Sequence, residues 1–226
     1  MKLFLFDIDG TILRTHNVGR HALEDALAEV VGRPLPTAGV SFSGKTDPQI
    51  LREILESHGL EEETHDGDFE RILDAYMNHM RSVLTPERFE LLPGVAELIP
   101  RLASMPDVRL GLLTGNVKPM AYFKLEAVGL AQYFPFGAFG SDHAERRRLP
   151  ALAVERARAL TGRTFTGKDV VIIGDTEHDI DCGRGIGACS VGVCTGRFSC
   201  EELAAHHPDL LLPDLSDPAP LLALID

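Results

Sequence analysis

Three short apolar runs, far apart along the chain, each end in acidic or small polar residues. They cover residues 3–6, 109–113 and 170–173, and the residues that follow them are Asp7, Thr114 and Gly174-Asp175. Runs of this length and character are typical of strands that are buried on both faces of a parallel sheet. Because ligands bind beyond the carboxyl ends of such strands, we expect these polar residues to converge at one edge of the sheet.

The first run leads directly into Asp7-Ile8-Asp9-Gly10-Thr11. Carboxylates two residues apart on a strand point to the same side, and a following glycine lets the backbone approach a ligand closely. Two neighbouring buried carboxylates repel each other unless a cation or a proton intervenes, and oxygen ligands suit Mg²⁺. The pattern therefore favours a magnesium site over the simpler alternative, an ordinary Asp-Gly turn.

These segments resemble the motifs of a known family. Asp7-x-Asp9-Gly10-Thr11 is similar to the first motif of the haloacid dehalogenase superfamily of aspartyl-phosphate phosphohydrolases, Thr114-Gly115-Asn116 to the second, and Gly174-Asp175-x-x-x-Asp179 to the fourth. The resemblance covers almost the whole chain in the family's order. It implies an α/β fold in which a Rossmann-like parallel-sheet core carries an inserted, all-helical cap of the C1 type.

The resemblance also implies catalytic roles. Asp7 would be the nucleophile that forms an aspartyl phosphate, and Asp9 the general acid–base. The retained Asp9 favours hydrolysis of a phosphate ester, because similar dehalogenases lack this second aspartate. Thr114 and Gly115 would bind the phosphoryl oxygens through the hydroxyl and the N–H, with Asn116 in the same motif.

The implied cofactor is Mg²⁺, held by Asp7, the backbone carbonyl of Asp9 and Asp175. Asp179 would support the metal site. The alternative for Asp179 is a helix N-terminal aspartate that complements the helix dipole.

The third motif departs from the family pattern, because no lysine lies between Lys124 and Lys168. The corresponding loop carries three arginines. Alignment on Pro150 favours Arg147 or, with a shift of one residue, Arg146, and Lys118 is a third candidate. An arginine can bind phosphate through two hydrogen bonds.

Helical periodicity dominates residues 18–84, with no convincing strand between residues 17 and 85. We predict a core of residues 1–15 and 88–226 and a cap of residues 16–87. Asp47 and Pro48 are expected to be the N-cap and first residue of the second cap helix. The preceding segment resembles substrate loops of phosphoglycolate-phosphatase-like proteins, so Gly44 and Lys45 are candidates for substrate recognition; otherwise Lys45 would lie in solvent.

The amino-acid composition limits which binding partners we expect for this chain. The formal net charge is −12, which argues against nucleic-acid binding and requires local basic groups wherever a phosphate binds. No apolar run approaches the roughly 18 residues of a membrane span, and the N-terminus does not resemble a signal peptide. The four cysteines are expected to be reduced thiols in a cytoplasmic protein. Either a monomer or a homodimer is compatible with the sequence.

We therefore predict a Mg²⁺-dependent phosphatase that hydrolyses a small phosphorylated metabolite, either phosphoglycolate-like or a sugar phosphate. One alternative is a phosphotransferase or phosphomutase of the same fold, which Gly19 disfavours because similar mutases carry a histidine there. Another alternative is a regulatory protein that binds a metabolite without turnover.

Overall fold

The computed structural model describes residues 1–16, 18–60 and 66–225. Its main feature is a six-stranded, entirely parallel sheet with the strand order β5-β4-β1-β6-β7-β8. The strands in chain order are β1 Lys2–Phe6, β2 Leu13–Arg14, β3 Glu90–Leu91, β4 Val108–Leu113, β5 Gly137–Ala138, β6 Val170–Gly174, β7 Cys189–Val193 and β8 Leu210–Leu212. The predicted α/β parallel-sheet core is confirmed.

The helices in chain order are α1 Val18–Val31, α2 Asp47–Ser57, α3 Asp66–Val83, α4 Val95–Ala103, α5 Lys118–Ala127, α6 Leu149–Thr161, α7 Glu177–Cys182, α8 Cys200–Ala204 and α9 Ala219–Leu222. Helices α4–α9 belong with this sheet, and helices α1–α3 form a separate block. In β1, Phe4 and Phe6 belong to one hydrophobic cluster and Leu3 and Leu5 to the other. All four are fully buried, which explains why the strand is continuously apolar and does not alternate.

The central position of β1 places the first motif between the second and the fourth. Phe6 is paired with Leu112 of β4 on one side and Ile173 of β6 on the other. The next residue, Asp7, donates its backbone N–H to the Ile173 carbonyl over 2.9 Å. The three motifs therefore leave the sheet side by side at its carboxyl edge.

Helices α1, α2 and α3 form the block that was predicted as a cap, and no strand interrupts residues 18–60 or 66–83. A feature that the sequence pattern did not predict is the two-stranded antiparallel sheet of β2 and β3, which pairs Leu13 with Leu91 and Arg14 with Glu90. It joins the chain segments that enter and leave the helical block. The domain boundaries at residues 16 and 87 stay a prediction.

The start of α2 differs from the prediction. Thr46 is the N-cap, because its hydroxyl accepts the Gln49 N–H over 3.2 Å, and Asp47 is the first helical residue. The Asp47 carboxylate instead accepts the backbone N–H of Val117 over 2.8 Å, while its own N–H donates to the Gly115 carbonyl over 2.8 Å. The Asp47 side chain therefore forms a tertiary contact with Val117 and does not cap α2.

The prediction of four reduced thiols is wrong for one pair, because Cys194 and Cys200 form a disulfide. The chain between them folds back so that the end of β7 and the start of α8 meet. Cys182 and Cys189 are free and buried. A cytoplasmic location stays a prediction, and the disulfide removes part of its support. Within the described ranges, no helix combines the length and apolar character needed to cross a membrane.

Candidate active site

Three buried carboxylates meet at the carboxyl edge of the sheet. One carboxylate oxygen from each of Asp7, Asp175 and Asp179 lies within 4.8 Å of the other two. Burial, together with the neighbouring Asp179 and Asp9 charges, raises the pKa of Asp7 to about 7 even though Arg146 opposes the shift. Burial and the charges of Asp179 and Asp7 also hold the pKa of Asp175 well above its ordinary value. The cluster thus carries more negative charge than its surroundings balance.

Arg146 is the cation that faces these carboxylates. Its guanidinium is buried, and Nη2 donates to Asp7 Oδ1 over 3.0 Å, to the Leu113 carbonyl over 3.1 Å and to Asp179 Oδ1. Burial alone would lower the pKa of Arg146, but the charges of Asp179 and Asp7 outweigh it and raise the pKa above its ordinary value. The guanidinium therefore stays charged. Its Nε is buried and has no hydrogen-bond partner within the part of the chain that the structure describes.

The other two candidates for the third motif lie elsewhere. Arg147 has a side chain that is 80% exposed and pairs with Glu145. Lys118 is exposed at the start of α5, with its ammonium 6.0 Å from the centroid of the Phe139 ring. The structure brings Arg146 into contact with the acidic cluster and leaves Arg147 and Lys118 outside it.

Asp9 is held by a residue that sequence reasoning missed. The ammonium of Lys124 donates to both carboxylate oxygens of Asp9, over 2.8 and 2.6 Å, and to Asn116 Oδ1 over 2.7 Å. Asn116 Nδ2 completes the triangle by donating to Asp9 over 2.8 Å. A signal was present in the sequence, because Lys124 occupies the buried face of α5 with Met120, where an apolar side chain would be expected.

The second motif forms a tight loop beside Asp9. The Thr114 hydroxyl accepts from the Asn116 side chain over 2.9 Å and from its backbone N–H over 3.3 Å. A Cβ on Gly115 would overlap the Lys45 carbonyl oxygen, and a Cβ on Gly140 would overlap the Gly115 carbonyl oxygen. Glycine is therefore required here for close approach of three backbone segments.

Asp179 lies at the N-terminus of α7, as the alternative for this residue predicted, and it also belongs to the acidic cluster, while its role in supporting a metal stays a prediction. Its Oδ2 accepts the Thr176 N–H over 3.1 Å and the Thr176 hydroxyl over 2.7 Å, which closes a capping box at the start of α7. Its Oδ1 faces Arg146 in the acidic cluster. This cap also explains why α7 begins at Glu177.

The loop before α2 reaches across to this site. Gly44 has a φ of +71°, and a Cβ there would overlap the His178 side chain of α7. The side chain of Lys45 is only 19% exposed and pairs with Glu53 over 2.5 Å. The Lys45 side chain is therefore held by Glu53 and does not extend into solvent.

A cavity of about 740 Å³ connects these groups, and it is lined by both the sheet edge and the helical block. Its lining includes Asp7, Asp9, Lys124 and Arg146 from the sheet side and Lys45, Asp47 and Tyr76 from the helical side. The carboxylate cluster is thus accessible to a small ligand.

The profile of the haloacid dehalogenase-like hydrolase family matches residues 4–193, which is most of the chain. The chain belongs to this family. The hydrolase is 26% identical to pyrophosphatase PpaX of Listeria welshimeri over 98% of its length and 94% of that protein's. It is 25% identical to phosphoglycolate phosphatase of Yersinia pseudotuberculosis over 97% of its length and 92% of that protein's.

Solved structures share the fold of the hydrolase. A β-phosphoglucomutase from Clostridium difficile has a TM-score of 0.77 at 20% identity, covering 100% of this chain and 97% of that one. A hydrolase from Pseudomonas syringae has a TM-score of 0.74 at 20% identity, covering 99% and 98%. These similarities establish the fold, and the family assignment establishes that the chain is a hydrolytic enzyme.

The site of the hydrolase fits a divalent cation. The guanidinium of Arg146 pairs with Asp7 and Asp179, so ionisation of all three carboxylates would leave an excess of negative charge in a buried space. All the side-chain donors are oxygen atoms, the ligand type that Mg²⁺ and similar hard cations prefer. Gly10 keeps the backbone close to this space, because a Cβ there would overlap the Asp175 carboxylate.

Proposed function

We propose that this enzyme hydrolyses a small phosphate monoester in two steps, with Asp7 as the nucleophile and Asp9 as the general acid–base. The observation that carries the proposal is the arrangement of these two aspartates. Asp7 contacts Arg146 within the carboxylate cluster, while Asp9 is oriented separately by Lys124 and Asn116. Two carboxylates in different environments are suited to two different roles.

In the first step, a carboxylate oxygen of Asp7 attacks phosphorus and the bond to the leaving oxygen breaks. Asp9 gives its proton to that oxygen, so the product leaves as an alcohol. In the second step, a water molecule attacks the phosphorus of the aspartyl phosphate while Asp9 accepts its proton. The bond to Asp7 then breaks and inorganic phosphate is released.

The surrounding residues bind and orient the phosphoryl group. We assign this role to the Thr114 hydroxyl and the Gly115 N–H, with Asn116 acting through Asp9. Arg146 takes the place of the lysine that is usual in the third motif, because it alone among the three candidates contacts Asp7. Its second contact, with Asp179, keeps the guanidinium from rotating away.

We propose Mg²⁺ as the cofactor, held by Asp7, Asp175 and the backbone carbonyl of Asp9, with Asp179 in support. When bound, the ion supplies positive charge to the phosphoryl oxygens and cancels repulsion within the cluster. It would also keep Asp7 ionised, which matters because burial raises the pKa of this nucleophile to about 7.

The test is release of phosphate from a panel of phosphoglycolate, sugar phosphates, nucleotides, pyrophosphate and an aryl phosphate, with Mg²⁺ and with a chelator. We expect Mg²⁺-dependent turnover that Asp7→Asn abolishes. The matched control is Asp25→Asn, which changes an exposed aspartate on α1. Mass spectrometry of acid-quenched enzyme should detect phosphate on the peptide that contains Asp7. Normal turnover by Asp7→Asn would refute the mechanism.

Pyrophosphate is a second candidate substrate. A relative that matches over nearly its full length is named a pyrophosphatase, and the same attack by Asp7 would cleave a phosphoanhydride. Its leaving group is a weaker base than an alkoxide and needs less help from a proton donor. We therefore expect Asp9→Asn to reduce hydrolysis of sugar phosphates more than hydrolysis of pyrophosphate.

A further inference from the structure

The cavity has a second group of cations, distinct from those at the carboxylate cluster. Arg14, Arg20 and Arg197 all line it, and we call these three residues the arginine rim. None of them forms an ion pair with a carboxylate among residues 1–16, 18–60 and 66–225. The other cationic side chains lining the cavity differ in this respect: Lys45 pairs with Glu53, Lys124 with Asp9, and Arg146 with Asp7 and Asp179.

Two members of the rim are held in place by neutral acceptors. Arg14 donates through Nη2 to the carbonyl oxygen of Thr195. Arg20 donates to the carbonyls of Thr37 and Val40, over 2.9 and 3.0 Å, and lies 4.1 Å above the ring of Phe42. Carbonyl oxygens and an aromatic face orient a guanidinium without forming an ion pair. The Thr37 hydroxyl, which accepts from Arg20 and donates to Glu24, connects Arg20 to a carboxylate that offsets part of its charge.

The third member, Arg197, lies on the loop that the Cys194–Cys200 disulfide closes. This loop is attached to the catalytic centre at two points. The Thr195 hydroxyl donates to the Gly10 carbonyl over 2.6 Å, and Gly196 packs so closely on Asp175 that a Cβ would overlap the carboxylate. The backbone that carries Arg197 is therefore anchored beside the first motif, while the side chain is exposed.

We propose that the arginine rim binds a second anionic group of the substrate, at the end remote from the phosphoryl group that Asp7 attacks. The inference rests on the proposed function and narrows its substrate class to phosphate esters that carry a second phosphate or a carboxylate. Arginine stays charged and forms paired hydrogen bonds with both groups.

Size and charge support this assignment. A cavity of about 740 Å³ has room for much more than one phosphoryl group. The chain as a whole has a net charge of −12, so its surface would repel an anion with two charged ends. Three arginines that form no ion pair within the described residues make the potential at the cavity more positive and attract such a substrate.

The test compares kcat/KM within matched pairs of substrates. A hexose bisphosphate is compared with the hexose monophosphate, and phosphoglycerate with glycerol phosphate, so that the two pairs distinguish a second phosphate from a carboxylate. We expect at least one pair to show a preference of about tenfold or more for the doubly anionic member, the usual scale of a charge-assisted hydrogen bond. The preference should decrease at high salt, because the rim is open to solvent.

Substitution of a rim arginine tests whether the arginine rim causes the preference for doubly anionic substrates. Arg197→Gln should reduce the ratio of the two kcat/KM values about tenfold, and Arg197→Lys should reduce it less. The matched control is Arg163→Gln, which changes an exposed arginine outside the cavity and should leave the ratio as it is. A wild-type enzyme without any preference, or a preference that survives Arg197→Gln, would overturn the proposal.

A binding measurement separates this proposal from the catalytic one. Calorimetric titration of the Asp7→Asn variant with the same pairs reports affinity without turnover. Tighter binding of the doubly anionic member, weakened by adding Arg197→Gln, would support the rim even if no ester in the panel were hydrolysed. Equal affinities would refute the rim while leaving hydrolysis through Asp7 intact.

Discussion

Replacing Asp47 with asparagine should stabilise the protein at neutral pH and leave its stability near pH 4 almost unchanged. Burial at the junction of α2 and the second motif raises the pKa of Asp47 to about 6, although Lys124 and the Val117 N–H oppose the shift. Asparagine can still accept the Val117 N–H, a hydrogen bond of 2.8 Å in the native protein. It carries no charge, so it avoids the cost of enclosing a carboxylate.

The sign and size of the stability change follow from the protonation of Asp47 in the folded and in the unfolded state. A folded-state pKa above the unfolded value means that the native protein loses stability as pH rises from the unfolded pKa through the folded one. For Asp47 that window runs from 3.8 to about 6. The corresponding loss is about 3 kcal/mol, at roughly 1.4 kcal/mol for each tenfold change in equilibrium. Because the side chain also lines the cavity, we expect a gain of about 1 to 3 kcal/mol for Asp47→Asn above pH 7.

The assay is denaturant unfolding of wild type and variant at several pH values between 4 and 8. The difference in unfolding free energy should rise with pH through this window and level off above it. Asp25→Asn, at an exposed position of α1, corrects for the change in net charge. A difference that does not vary with pH, or a variant less stable than wild type at pH 8, would show that the Asp47 carboxylate does not carry this cost.

Three further substitutions test individual residues of the site, and a fourth, Arg147→Ala, is the control for Arg146→Ala. Lys124→Met removes the cation that orients Asp9, and we expect kcat to fall at least tenfold while circular dichroism stays native. Gly115→Ala adds a methyl group against a backbone carbonyl and should lower the unfolding free energy by about 1 to 3 kcal/mol. Arg146→Ala leaves buried carboxylates without their cation, so stability should fall by about 3 to 5 kcal/mol in metal-free buffer. Arg147→Ala changes an exposed side chain and should alter stability by less than about 0.5 kcal/mol.

Much of the core could be predicted from the sequence because its strands are short, apolar and buried on both faces. Each such run marks one strand, and the polar residue at its end marks the functional edge of the sheet. Asp7, Thr114 and Asp175 were found in this way, and in the structure they lie at the ends of three adjacent strands. The two-residue strands β2 and β3 are too short to leave a periodic pattern.

Contacts between segments that are distant in the chain were harder to predict from the sequence. Thr46 and Asp47 are both good N-cap residues, and only the position of Val117 decides that Asp47 is drawn away from the cap. The disulfide likewise depends on how the loop after β7 folds back, which the spacing of Cys194 and Cys200 does not reveal.

The sequence by itself determined the parallel-sheet core, the order of the motifs and the carboxylates at the sheet edge. Only the tertiary structure decided that Arg146, and not its neighbour Arg147, faces Asp7, and that Lys124 holds Asp9. The physical reason is that hydrophobic periodicity records which side of an element is buried. It carries no information about which side chain from a remote element arrives to balance a buried charge.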